Sequence, residues 1–238
     1  AGHIIECGCQ ATGGNYSFIK EVHSFDNVGY PIAEIKADGS FYITKHTNTG
    51  GLVSTGTVTA QLLYEISSPA YLNPDVIAHF DTLKIKQESK DRVYVSGCRG
   101  SSPTQFHKVC INLAGGHRNG MEFILTGLDI EEKAKIITDA FFNSVGGKDQ
   151  FDEVSILLDR TDKEDPGSNE EAMASLRVYV KSKNADLVGR MFSAKMIELA
   201  LANYPGFFTG GGVRSGGPVL VYWPALIDSK HISETVHF

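Results

Sequence analysis

The sequence is short of cysteine, tryptophan, basic charge and long apolar runs, and each shortage removes a class of function. Four cysteines (Cys7, Cys9, Cys98 and Cys110) in 238 residues do not make a disulfide scaffold and point to a reducing, cytoplasm-like compartment. Lys and Arg number 22 against 28 Asp and Glu, a net charge of −6, so there is no basic footprint for a nucleic-acid partner. No apolar run approaches the length of about eighteen residues that marks a transmembrane helix, so no membrane partner is expected. The opening residues lack the basic start and apolar core of a secretory signal. What is present is ordinary for a soluble globular protein, 42% apolar and 21% charged, with length for one large core or two modest ones.

The chemistry concentrates in His3-Ile-Ile-Glu-Cys-Gly-Cys-Gln-Ala-Thr-Gly-Gly-Asn15. Ile4 and Ile5 suggest a regular element reaching about Cys9, and Gly13-Gly14 must be loop. Paired glycines let backbone N–H groups approach an anion, because no Cβ intervenes. The stretch reads as the wall of a small-molecule site, with Gln10, Thr12, Gly13, Gly14 and Asn15 as substrate-binding candidates. A tight structural turn is the bland alternative.

Residues 16–30 read as loop with a short turn of helix. Pro31–Lys36 and Ser40–Lys45 read as paired strands about Asp38-Gly39, a good hairpin signal. A second glycine loop, His46-Thr-Asn-Thr-Gly-Gly51, feeds a helix from Thr55 to Ile66 with Thr57 as its N-cap and Val58, Leu62 and Ile66 on one face. A glycine loop before a helix N-terminus suits an anion, though no Gly-Lys-Ser/Thr P-loop pattern follows. Asp75–Phe80 reads as a helical turn, and a boundary near residue 80 separates a glycine-loop region, 1–80, from a sheet domain, 81–238. Beyond it, strands are expected at 82–87 and 92–97, and a further pair at 106–113 and 120–126 around Gly115-Gly116. Asp129 and Glu132 form a capping box for a helix whose buried stripe is Ile130, Ala134, Ile137, Phe141 and Val145. Strands at 153–158 and 175–181 follow. Asn184 caps a second helix to about Ala202, with Leu187, Met191, Ala194, Ile197, Leu199 and Leu201 available for burial. Gly210–Gly217 is loop, and Pro218–Trp223 is a last strand with Trp223 in the core. The class is α+β, and the order from Gly120 onward predicts a ferredoxin-like split β-α-β antiparallel sheet.

His3 and Glu6 stand three apart, one helical face, as a carboxylate orienting a general-base imidazole or as a plain helix-terminus hydrogen bond. Cys7 is the candidate nucleophile, against a weakly reactive or buried thiol. Cys7-Gly-Cys9 is too short and too poor in ligands for a structural zinc, and His3 with Glu6 would complete a set only if the turn folded tightly around a metal. No metal or cofactor is assigned. Lys45 and His46 at a strand end, with Thr49, Gly50 and Gly51 beyond, would hold a carboxylate, phosphate or oxyanion unless Lys45 is merely solvated. Arg99 between Gly97 and Gly100 is an anion clamp or a hairpin end. The remaining histidines lack ligand spacing, and Asp159–Glu171 lacks the regular spacing of a calcium loop.

Gly-His-Ile-Ile-Glu-Cys-Gly-x-Gln-Ala-Thr-Gly-Gly-Asn, Gly-Tyr-Pro-Ile-Ala-Glu, Asp-Gly-Ser-Phe-x-Ile-Thr-Lys-His and Thr-Gly-Gly-Leu-Val-Ser occur in this order. They continue through Thr-Val-Thr-x-Gln-Leu-Leu-Tyr-Glu-Ile, Val-Ser-Gly-x-Arg-Gly and Ala-Leu-Ala-Asn-Tyr-Pro-Gly-Phe. The set resembles the acyclic terpene utilisation family (AtuA-like) over nearly the whole chain, with Cys9 where a small residue is expected. The resemblance implies a C-terminal portion whose upstream α/β region is missing, and a place in degradation of citronellol- and geraniol-type compounds through branched acyl-CoA thioesters. It implies a catabolic enzyme on a branched carboxylate or acyl-CoA, of lyase or hydratase type. His3, Glu6 and Cys7 would be catalytic, and the glycine loops and Arg99 would hold anionic groups. The alternative is a non-catalytic ligand-binding or partner subunit. The partners expected are the small-molecule ligand and either a second copy of the chain or its missing half.

Overall fold

A computed structural model describes residues 1–237. Contacts divide the chain into two compact units, Ala1–His107 with the segment from Leu226, and Lys108–Ala225. The chain is α+β throughout.

The first unit opens with helix α1 (Gly2–Ile5), only one turn long because Gly8 and the single-turn helix Gln10–Thr12 follow in place of a regular run to Cys9. Strands β1 (Pro31–Ile35) and β2 (Phe41–Lys45) make the expected hairpin. Helix α2 (Thr55–Leu63) comes next, then short strands β3 (Ala70–Leu72) and β4 (Ile77–His79). Strands β5 (Lys84–Ser89), β6 (Arg92–Ser96) and β7 (Arg99–Ser101) follow. One antiparallel sheet runs β1-β2-β6-β5 and a smaller one β3-β4-β7. Phe41, Ile43, Val93 and Val95 alternate onto one face and meet Val58 and Leu62 of α2 and Ile4 of α1. Burying each such side chain stabilises by about 1.5–3 kcal/mol. Thus β5 and β6, beyond residue 80, join the sheet of the N-terminal hairpin through β2.

Two local expectations change here. Ser54, not Thr57, is the N-cap of α2: its hydroxyl accepts from Thr57 N–H at 3.2 Å while Thr57 Oγ1 accepts from Ser54 N–H at 3.0 Å. Thr57 closes a reciprocal box one turn in. Residues 77–79 are a strand and not a helical turn, because both edges of β4 find partners in β3 and β7.

The second unit holds strand β8 (Phe106–Thr126) from Lys108 onward, helix α3 (Ile130–Ser144), strands β9 (Glu153–Asp159) and β10 (Met173–Ser182), helix α4 (Arg190–Leu201), strand β11 (Phe207–Thr209), and strand β12 (Gly217–Asp228) as far as Ala225. The antiparallel sheet runs β11-β8-β10-β9, and β12 also pairs with β8. Phe123, Leu125, Leu176, Val178 and Val180 point to one face, where Phe141 of α3 and Phe192 of α4 meet edge-on at 5.1 Å. Both helices therefore cover the same side of the sheet.

The expected hairpin at Gly115-Gly116 is absent, for β8 runs on as one strand. Gly115 instead lets β12 approach: a Cβ there would lie 2.7 Å from Val221 Cγ2. Asp129 precedes α3 in a left-handed conformation and makes no side-chain cap bond. Helix α4 starts six residues after Asn184, whose side chain closes a turn onto Asp186 N–H at 3.0 Å. Its buried face is Phe192, Ser193 and Met196, while Met191 and Leu201 are exposed; Ile197 and Leu199 pack at the margin. Trp223 is 59% exposed on β12 and not in the core.

Candidate functional site

The one turn of α1 places His3 and Glu6 on the same side, anchored by buried Ile4. Buried Gln61 on α2 donates its amide to His3 C=O at 3.1 Å. The imidazole lies against Tyr71 and Phe80, ring centroids 5.0 and 5.5 Å away, and its Nε2 meets Leu62 C=O at 3.2 Å. Its Nδ1 faces Glu6 Oε1 at 3.5 Å and has no hydrogen-bond partner. The side chain is 9% exposed, and that nitrogen is buried behind the Glu6 carboxylate it faces. Glu65, just past α2, brings a carboxylate alongside: His3, Glu6 and Glu65 each offer a ligand atom within 4.8 Å of the others.

Cys7 Sγ lies 2.5 Å from Tyr64 Oη. Hydrogen bonds to Cys7 first and to Glu65 second hold the Tyr64 phenol proton well above the ordinary tyrosine range. Cys9 turns the other way and donates to Val28 C=O at 3.1 Å, so the two neighbouring thiols serve different contacts and both are free.

The two glycine loops interlock. Leu52 N–H donates to Thr12 C=O at 2.8 Å, and Gly51, at φ 85°, sits so close that a Cβ would lie 2.3 Å from that same oxygen. Their amides are spent in doing so. Gly13 N–H donates to Gln10 C=O, Gly14 N–H to Cys9 C=O, Gly50 N–H to Asn27 C=O and Gly51 N–H to Ser24 C=O. Thr12 is fully buried, its hydroxyl set between Cys9 C=O and Gly29 C=O. Lys45 is 7% exposed and equally committed, to Thr49 C=O at 2.9 Å, Thr49 Oγ1 at 3.3 Å and Asp91 at 3.6 Å. These groups are spent on holding the loops together.

Two cavities flank the interlock, and no residue lines both. One, of about 570 Å³, is walled by the outer face of α2 (Thr55, Gly56, Thr59, Ala60, with Tyr64 beyond) and by Gln10, Asn15, Tyr16, Ser17 and Phe18. The other, of about 750 Å³, has Lys45, His46, Thr49, Gly50 and Gly51 on its wall with His23 and Lys90. Arg99 lines neither: it is exposed on β7, its N–H donating to Thr82 Oγ1 at 2.9 Å.

A family profile described as acyclic terpene utilisation family protein AtuA matches residues 1–238. The chain belongs to the acyclic terpene utilisation family. No curated protein and no solved structure matches it. Among the described residues no helix is long and apolar enough to cross a membrane. In this member of the acyclic terpene utilisation family, the residues that sequence reasoning missed are Tyr64 and Glu65. Both lie in Gln-Leu-Leu-Tyr-Glu-Ile, where a helical-face reading weighs only the apolar positions. The signal was a protic and an acidic residue side by side at the helix end.

Proposed function

We propose that the 570 Å³ cavity is the substrate pocket of a catabolic enzyme acting on a branched carboxylate or its acyl-CoA thioester, by lyase- or hydratase-type chemistry. The observation that carries this reading is Tyr64, which lines the cavity with its hydroxyl against Cys7 Sγ. Eliminating or adding water beside a carbonyl needs a proton donor and acceptor at the substrate's flank, and a thiol–phenol pair supplies both. Gln10, Asn15, Thr55 and Thr59 offer amide and hydroxyl partners for a carbonyl or carboxylate, while Phe18 and Ala60 offer apolar wall for a branched chain. His3 and Glu6 stand behind this pair as positioning groups. Membership of a family described by acyclic terpene utilisation supports the substrate class. The free thiols support a reducing, cytoplasmic setting.

The test is calorimetry and thermal shift on the full chain with a branched acyl-CoA, the free branched acid and a nucleotide. The thioester or the acid should raise the melting temperature, and Ala60→Trp, which fills the cavity, should abolish the shift. Tyr64→Phe should keep affinity and lower turnover by roughly two to four orders of magnitude. If neither acid nor thioester binds, or Ala60→Trp binds like wild type, the reading falls.

A second reading, a non-catalytic ligand-binding subunit, is favoured by the 750 Å³ cavity, where the His23 and His46 imidazoles and Lys90 gather on a wall without a thiol. Ligand binding without turnover selects it. We also read the second unit as a ferredoxin-like split β-α-β sheet; the support is the strand order β11-β8-β10-β9 and the two helices sharing one face.

A further inference from the structure

We propose that His3, Glu6 and Glu65 bind one divalent transition-metal cation. The argument starts at His3 Nδ1. Nε2 is engaged with Leu62 C=O, and the buried Nδ1 faces Glu6 Oε1 at 3.5 Å without a hydrogen bond. A buried ring nitrogen left without a hydrogen bond, with two carboxylates converging on it, makes a local field that draws a cation in among them. Two donors about 2.1 Å from one ion, at angles of about 90–110°, stand roughly 3.0–3.4 Å apart, close to the spacing found. The wider 4.8 Å limit of the set involves exposed glutamates, which a rotamer change brings inward.

The surroundings are those of a metal-ligating histidine. The second ring nitrogen is tied to a backbone carbonyl, the usual outer-shell bond that fixes tautomer and orientation. Tyr71 and Phe80 hold the ring plane, and Gln61 holds the His3 backbone. One imidazole with two carboxylates suits Zn²⁺, Mn²⁺ or Co²⁺ better than soft Cu(I). Three protein ligands, two of them on the surface, leave positions open to an oxygen ligand, as in catalytic and not structural sites. That those positions receive the carboxylate or thioester oxygen of the substrate rests on the reading above; the cation itself does not.

The test uses the full chain, stripped with chelator and dialysed, titrated with Zn²⁺ and Co²⁺ by calorimetry while the visible spectrum of Co²⁺ is followed. One ion per chain is expected, with weak nitrogen–oxygen-type bands and no intense thiolate-to-cobalt band. Glu65→Gln and Glu6→Gln should each weaken binding by about tenfold or more. Glu164→Gln, in the acidic loop, and Cys7→Ser should bind as wild type. His3→Asn should also lose the ion, and because His3 is buried the exposed Glu65 variant decides if that chain does not fold. No stoichiometric binding, affinity unchanged in both glutamate variants, or loss on Cys7→Ser overturns the site. An ion lost from both glutamate variants of a chain that binds no acid or thioester keeps the metal site and removes the substrate reading alone.

Discussion

At Lys45 the difference between a ligand-binding cation and a structural one comes down to its acceptors. Thr49 C=O, Thr49 Oγ1 and Asp91 surround the ammonium, and Asp91 in turn accepts from Val53 N–H at 2.9 Å. Lys45→Met therefore leaves a half-buried carboxylate without its partner and should cost about 3 kcal/mol. Chemical denaturation should show that loss, while calorimetry shows ligand affinity unchanged; the reverse pattern would make Lys45 an anion clamp after all. The same contrast explains how much of the site was legible. His3 and Glu6 were paired by spacing alone, because three residues on a helix are neighbours whatever the fold. The glycine loops were legible as loops but not as interlocked ones, since the carbonyls that consume their amides belong to Cys9, Gln10, Ser24 and Asn27. Tyr64 meets Cys7 across 57 positions, and no local pattern encodes such a contact.

Helix α3 shows what an element's own sequence determines and where it stops. Its stripe of Ile130, Ala134, Ile137 and Phe141 is buried as periodicity requires, while Val145, the expected fifth member, stands just past the helix end and is half-buried. Helix α4 carries apolar residues on several faces, so its phase comes from the sheet and from Phe141, not from its own pattern. Between them stands Tyr204, whose hydroxyl donates to Lys133 C=O on α3 at 2.5 Å, with its ring 5.7 Å from Phe207. Burial pushes the Tyr204 phenol up to about 12 from its usual 10.0. The folded value lies above the unfolded one, so this stabilisation is complete below pH 10.0 and is lost as pH rises through about 12. Tyr204→Phe should cost about 1 kcal/mol near neutrality. Denaturant midpoints measured from pH 8 upward should show the wild-type advantage shrinking over that window; a constant gap would mean that the phenol does not titrate with the fold.

At the scale of the whole molecule, the described residues form two cores with no buried side chain in common, one around Ile43, Val58 and Val95, the other around Phe123, Phe141 and Leu176. Phe141→Ala should cost about 3–5 kcal/mol through the cavity it opens. Amide exchange should then rise along β8 and β10 while Val93 and Val95 keep their protection, and equal loosening of both would show a single cooperative core. The α+β class was legible because hairpin, capping and helical-stripe signals are local. The division of the chain was not, because the first unit is discontinuous in sequence. The strand from Phe106 carries the chain out of it and β12, paired beside that strand, carries it back, where Ser229 N–H donates to Gln105 C=O at 2.8 Å. This gives synthesis an order. Residues 1–107 leave the ribosome ahead of 108–225, yet their unit lacks its returning segment until the whole of 108–225 has been made, on the order of ten seconds later. Residues 108–225 can finish folding before the residues made ahead of them.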